Sequence, residues 1–142
     1  MTASDDPYGA FLAAKIRMAP AVGFEVGLAE IHPRLKAHQA DIVRWAVRGG
    51  RRAIFAAFGL GKSVVQIEVL RLILARAGGR GLIIAPLGVR QEFRRDAEML
   101  GQPIRFIRRI EEAETEGLYL TNYETVRDGK LEVQRLLIPE PI

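Results

Sequence analysis

Between Arg51 and Ser63 the chain reads RRAIFAAFGLGKS, and no other stretch restricts the possible folds as much. The apolar Ala53, Ile54, Phe55, Ala56 and Ala57 predict a buried strand that empties into Gly59, Gly61, Lys62 and Ser63. Such a loop wraps phosphate oxygens in backbone amides, and the helix after it turns its positive N-terminus to the same charge. Lys62 would reach the terminal phosphates, and Ser63 would place its hydroxyl on a magnesium ion. The pattern G-x-x-x-x-G-K-[ST] is incomplete, because its first glycine falls at Ala56. A short Gly-x-Gly-Lys-Ser also occurs in ordinary turns, so the flanking elements decide. They favour phosphate: a strand is expected before the loop, and an amphipathic to fully apolar helix after it, from Lys62 to about Ala77.

The chain has 142 residues, enough for one domain with a single core. It has no cysteine and two histidines, which excludes a disulfide framework and a thiolate metal site. A reducing cytoplasm is therefore the expected location. No apolar run approaches the ~20 residues that span a bilayer. The opening MTASDDPYGA is acidic, unlike a signal peptide, so no membrane partner is expected. Of the 21 basic residues 17 are arginine, clustered at Arg48, Arg51 and Arg52, at Arg90, Arg94 and Arg95, and at Arg105, Arg108 and Arg109. A guanidinium fork matches two phosphate oxygens, although any one cluster is better read as solvated surface.

Taken in order, Asp6 and Pro7 predict an N-cap and first helical residue, with Tyr8, Phe11, Leu12 and Lys15 on one face. Gly23 to Val26 reads as a short extended piece. From Pro33 a helix is expected, with Leu35, Ile42, Val43, Ala46 and Val47 as its apolar stripe and Trp45, most simply a core residue, at its edge. Gly49 and Gly50 stop it through a left-handed residue. Gly81 to Ala85 predicts a strand buried on both faces, closed by Pro86. A helix follows from about Val89 to Leu100, then strands at Pro103 to Ile107 and Gly117 to Thr121 with a charged link between them. Strand and helix alternate, so the fold class is α/β, with a mostly parallel sheet flanked by helices. The prolines at 139 and 141 discourage regular structure in the tail.

The ordered blocks over residues 8 to 128 resemble superfamily 2 helicases and translocases, especially the Swi/Snf-related branch of phage and prophage genomes. LKAHQADIVRWAV resembles that family's adenine-reading segment, with Gln39 as the base-contacting glutamine, and FAAFGLGKS resembles its first motif. LIIAPLGVRQEF and LTNYETV resemble two later segments that face the nucleic-acid backbone. The resemblance implies an incomplete RecA-like P-loop domain: a lead-in over residues 1–30, a partial ATP-binding lobe over 31–128 and a divergent or irregular tail over 129–142. It implies ATP and Mg2+ as cofactors, bound by Gln39, Phe58, Gly59, Leu60, Gly61, Lys62 and Ser63. Lys62 and Ser63 would be the catalytic residues and Ser63 the metal ligand. Double-stranded DNA would be the partner, contacted by Pro86, Leu87, Arg90, Thr121, Asn122 and Tyr123. Phe24 would stack on adenine or sit in the core. Plainer alternatives stand beside each block: Gln39 as a solvated helix residue, and Pro86 and Leu87 as a turn. For the whole chain the alternatives are a non-catalytic nucleotide- or nucleic-acid-binding remnant and, less well matched, a small P-loop kinase.

The family's second motif, an aspartate and glutamate at the end of a buried strand, should follow Thr121 to Tyr123. Only Glu111 and Glu112 come near, and they precede that segment and lack the aspartate. The chain is therefore expected to be the N-terminal part of such an ATPase, cut before the acid pair and the second lobe. Phosphoryl transfer depends on positioning and charge stabilisation by those groups. A steady-state ATPase assay with DNA present is expected to give far less than ordinary helicase turnover, and ordinary rates would refute this.

Overall fold

The computed structural model describes residues 7–11, 21–54 and 61–137. Residues 7–11 are helical (α1), with Tyr8 and Phe11 69% and 60% exposed. The next helix, Ala37–Gly49 (α2), begins later than Pro33 suggests, since Pro33 to Leu35 form a turn and Lys36 is the extended N-cap. It stops at Gly50, whose φ of 78° is the positive value that the paired glycines predict. The carbonyls at its end have no acceptor role inside the helix. They are taken by the lead-in: the N–H groups of Val22, Gly23 and Phe24 donate to the oxygens of Gly49, Arg48 and Val47 at 3.1–3.2 Å.

Lys62–Ala77 (α3) has the expected bounds. Apolar residues surround it, which is the pattern of a helix buried on more than one side. Val64 and Ile67 face one cluster with Ile83, Phe93, Ala97 and Leu120. Val65 and Leu72 face another with Val26, Val43 and Val47. So α3 lies between α2 on one side and the sheet with its covering helix on the other.

The sheet contains Arg80–Ala85 (β1), Ile104–Phe106 (β2) and Gly117–Asn122 (β3), in the order β1-β3-β2, with both pairings parallel. Arg90–Leu100 (α4) connects β1 to β2 and buries Phe93, Ala97 and Leu100 against α3 and the sheet. Tyr123–Arg127 (α5) follows β3 directly. Order continues beyond Gly129: Val133–Leu137 (α6) is helical, and Leu131 and Leu136 pack with Ile107 and Tyr119 on the sheet's other face. The segment expected to be irregular thus supplies part of the core. The α/β class with a parallel sheet flanked by helices is as the alternation of elements requires. Among the described residues no helix is long and apolar enough to cross a membrane.

Three expectations need correction. Residues 51–54 form no strand, and Ile54 is 38% exposed; Phe55 to Ala57, the rest of that predicted strand, lie outside the described residues. Trp45 is a surface residue, 38% exposed, with the Arg52 guanidinium 4.7 Å above its ring. β1 is not buried on both faces: Ile83 and Ala85 are in the core, but Ile84 is 36% exposed. The physical reason is that successive side chains point to opposite faces: α3 and α4 cover Ile83 and Ala85, while the packing on the other face takes in Leu82 and not Ile84. β1 has β3 on one edge and, among the described residues, no strand on the other. Beside that open edge is a mostly apolar groove of about 280 Å³, lined by Ile54, Val69, Leu70, Leu82 and Ile84 among others.

An apolar sheet edge of this kind, uncovered among the described residues, promotes association between molecules. The protein is expected to self-associate with rising concentration, and Ile84→Lys to shift it toward monomer in size-exclusion chromatography with light scattering. A parent chain that stays monomeric at every concentration would count against this.

Candidate functional site

Parallel strands all leave the sheet at one end, and ligands of α/β sheets bind outside those carboxyl ends. The register pairs Ala85 with Asn122, so Pro86 and Tyr123 emerge side by side. α3 runs antiparallel to β1. A Cβ placed on Gly81, at the start of β1, would lie 3.4 Å and 3.5 Å from Leu74 and Leu70, late in α3, whereas Ala85 shares its cluster with Val64, early in α3. The N-terminus of α3 therefore opens at the strands' carboxyl ends.

Gly61 is the N-cap of α3, in the left-handed region at φ 70° and ψ 47°, and its carbonyl accepts the Val65 N–H at 3.2 Å. The first-turn N–H groups of such a helix have no intrahelical acceptor and point outward. Lys62 is exposed beside them. Ser63 is half-buried and donates its Oγ hydrogen to Asp96 Oδ2 on α4. Phe58, Gly59 and Leu60, expected to cradle phosphate, lie outside the described residues.

Gln39 is buried at 7% exposure and is not a solvated helix residue. It sits in the first turn of α2, where its Oε1 accepts the Lys36 N–H at 2.9 Å. That leaves the amide nitrogen directed at Gly61: a Cβ on Gly61 would come within 2.3 Å of Gln39 Nε2. The glutamine and the end of the loop, 22 residues apart in sequence, are thus in direct apposition. Phe24 is partly buried against the second cluster, with the Arg76 guanidinium 4.3 Å from its ring centroid.

The predicted nucleic-acid residues divide into two sets. Leu87 and Tyr123 are 53% and 55% exposed, and Pro86 is exposed. Arg90 is half-buried, with its guanidinium 3.9 Å from the Phe106 ring centroid. Thr121 and Asn122, at 1% and 8% exposure, do not present themselves to a polyanion. Asn122 is the N-cap of α5: its Oδ1 accepts the Thr125 N–H at 2.8 Å and the Thr125 hydroxyl at 2.7 Å. The Thr121 hydroxyl is buried and has no partner among the described residues.

Asp96 is the residue that sequence reasoning missed. It stands in RRDAEM, a run that reads as a charged helix face, and only the packing of α4 on α3 brings it to Ser63. Its side chain is 14% exposed, with Arg95 Nε 3.7 Å from its other oxygen. Among the described residues no group of three or more histidines and acids could hold a metal ion. Ser63 and Asp96 offer hard oxygens of the kind that binds magnesium together with phosphate oxygens and water. Glu111 and Glu112 are exposed in a short 3-10 turn and form no part of this site.

Compared with known proteins, the chain matches no family model, and no curated protein matches it.

Gly61→Ala is expected to lower the unfolding free energy by about 1–3 kcal/mol in urea titration, the cost of a side chain in the left-handed region. Unchanged stability would overturn the geometry at the start of α3.

Proposed function

We propose that this chain is the ATP-binding part of a superfamily 2 DNA helicase or translocase of the Swi/Snf-related branch, built on a partial RecA-like lobe. The observation that carries this reading is the apposition of Gln39 with Gly61 at the N-terminus of α3. A lone glycine turn needs no glutamine from a separate helix. A nucleotide site needs both a phosphate-binding end and a group that reads the base.

On this reading the first-turn amides of α3 and Lys62 hold the phosphates, and Gln39 reads adenine. Ser63 and Asp96 would hold the magnesium, which supplies charge neutralisation at the phosphates when bound. Pro86, Leu87 and Tyr123 form the exposed strand-end surface toward double-stranded DNA, with Arg94 and Arg95 exposed on α4 nearby in sequence. Thr121 and Asn122 support that surface from below through burial and the α5 cap. No adjacent aspartate and glutamate follow Tyr123 in this sequence. These residues alone therefore bind ATP without turning it over efficiently.

ATP with magnesium, at a hundredfold excess over its Kd, is expected to stabilise the fold by about 2.7 kcal/mol. For a chain of this size that raises the melting temperature by roughly 5–10 °C. Lys62→Ala is expected to abolish the rise. An unchanged response in that variant would sink the phosphate-loop assignment.

A further inference from the structure

Glu68 lies on α3 between the two clusters and has no exposed surface. A carboxylate so placed is costly unless its oxygens are fully paired. Oε2 accepts the His32 N–H at 2.6 Å and a hydrogen from Arg71 Nη2 at 2.9 Å, while Oε1 accepts from Arg71 Nε. The same Nη2 donates to the Glu30 carbonyl at 3.0 Å. One ion pair on α3 thereby grips the backbone of both Glu30 and His32.

The gripped segment leads to Gln39 within a few residues. Leu35 packs into both clusters that contain α3, and Lys36 orients Gln39 through its N–H. Gln39 then meets Gly61, at the start of the helix that carries Glu68. The chain of contacts closes on itself, so the distance from Gln39 to the phosphate end of α3 is set from within α3.

We propose that Glu68, through Arg71 and the backbone of residues 30–32, is a positioning residue for base selection by Gln39. This rests on the nucleotide-site reading above. Glu68 touches no nucleotide, and its removal lets the lead-in shift so that Gln39 no longer sits at a fixed reach. Phosphate binding at the N-terminus of α3 does not depend on it.

The test titrates the full chain, Gln39→Ala, Glu68→Gln and the double variant with ATP, GTP and inorganic triphosphate in magnesium buffer. The parent is expected to prefer ATP. Each single variant is expected to lose about tenfold of the ATP-to-GTP ratio, the net worth of one hydrogen bond, with triphosphate affinity held within about twofold. The double variant is expected to discriminate no worse than Gln39→Ala, as for residues acting through one another. A Glu68→Gln protein that folds by circular dichroism and keeps the parent's ratio overturns the proposal, and leaves the nucleotide reading intact if Gln39→Ala loses that ratio. A parent that binds neither ATP nor triphosphate overturns the nucleotide reading itself. If Glu68→Gln does not fold, Arg71→Lys takes its place, because it keeps the charge and loses the fork that reaches Glu30; an unchanged ratio there overturns the proposal.

Discussion

A charged group in the middle of the helix that lies between α2 and the sheet organises the N-terminal half of this molecule. Taking Glu68 out of water costs several kcal/mol, and an apolar side chain of similar size would pack there without that cost. What the carboxylate supplies is direction. Its acceptors meet an Arg71 fork and a His32 N–H, so the turn before α2 has one seat on α3. The hydrogen bond to Glu68 raises the Arg71 pKa above its ordinary value, helped by the charge attraction and opposed by partial burial. The guanidinium stays charged, and the carboxylate keeps a partner.

The second constraint is the direction of the sheet. Because β1 and β3 are parallel and α3 runs back along β1, the start of α3 and the ends of β1 and β3 open at the same end. One carries Gly61, one Pro86 and one Tyr123. None of these residues is near another in sequence, and no local feature of the chain would bring them together. Parallel pairing does so as a consequence of backbone direction alone. α2 adds Gln39 from the far side of α3, with its position set by the lead-in that caps its last carbonyls and by the Glu68 grip.

Periodicity made α2, α3 and α4 legible, because they show their burial in the spacing of their own apolar residues, whereas α6 falls in a segment that its neighbouring prolines marked as irregular. The parallel class followed from alternation of elements. What the sequence left unreadable depends on neighbours. Ile84 reads like Ile83, yet one is exposed and the other buried, since successive side chains of a strand point to opposite faces and the packing on Ile84's face reaches Leu82 but not Ile84. Ile54 belongs to an apolar run that predicts a strand, but among the described residues its backbone takes no ladder. Trp45 at the edge of an apolar stripe reads as core, yet it lies at the surface with the Arg52 guanidinium over its ring. Asp96 carries no local signal, since its meaning comes from a serine 33 residues away.

Arginine abundance, read as phosphate affinity, divides on structural grounds. Arg52, Arg76 and Arg90 place their guanidinium centres 4.7, 4.3 and 3.9 Å from the ring centroids of Trp45, Phe24 and Phe106. Arg108 shares the Phe106 ring at 5.6 Å. A guanidinium on an aromatic face keeps its in-plane N–H donors at the rim, so it can still meet an anion, but its position is fixed by the ring. A flexible surface arginine must lose rotamer freedom to hold a phosphate, whereas a stacked one has lost much of it already. Phe106 thus fixes Arg90 at the first turn of α4, three residues after the exposed Leu87. Among the clustered arginines of the described residues, Arg90 and Arg108 therefore share one ring at the end of β2, and Arg90, at 3.9 Å, lies the nearer to its centroid.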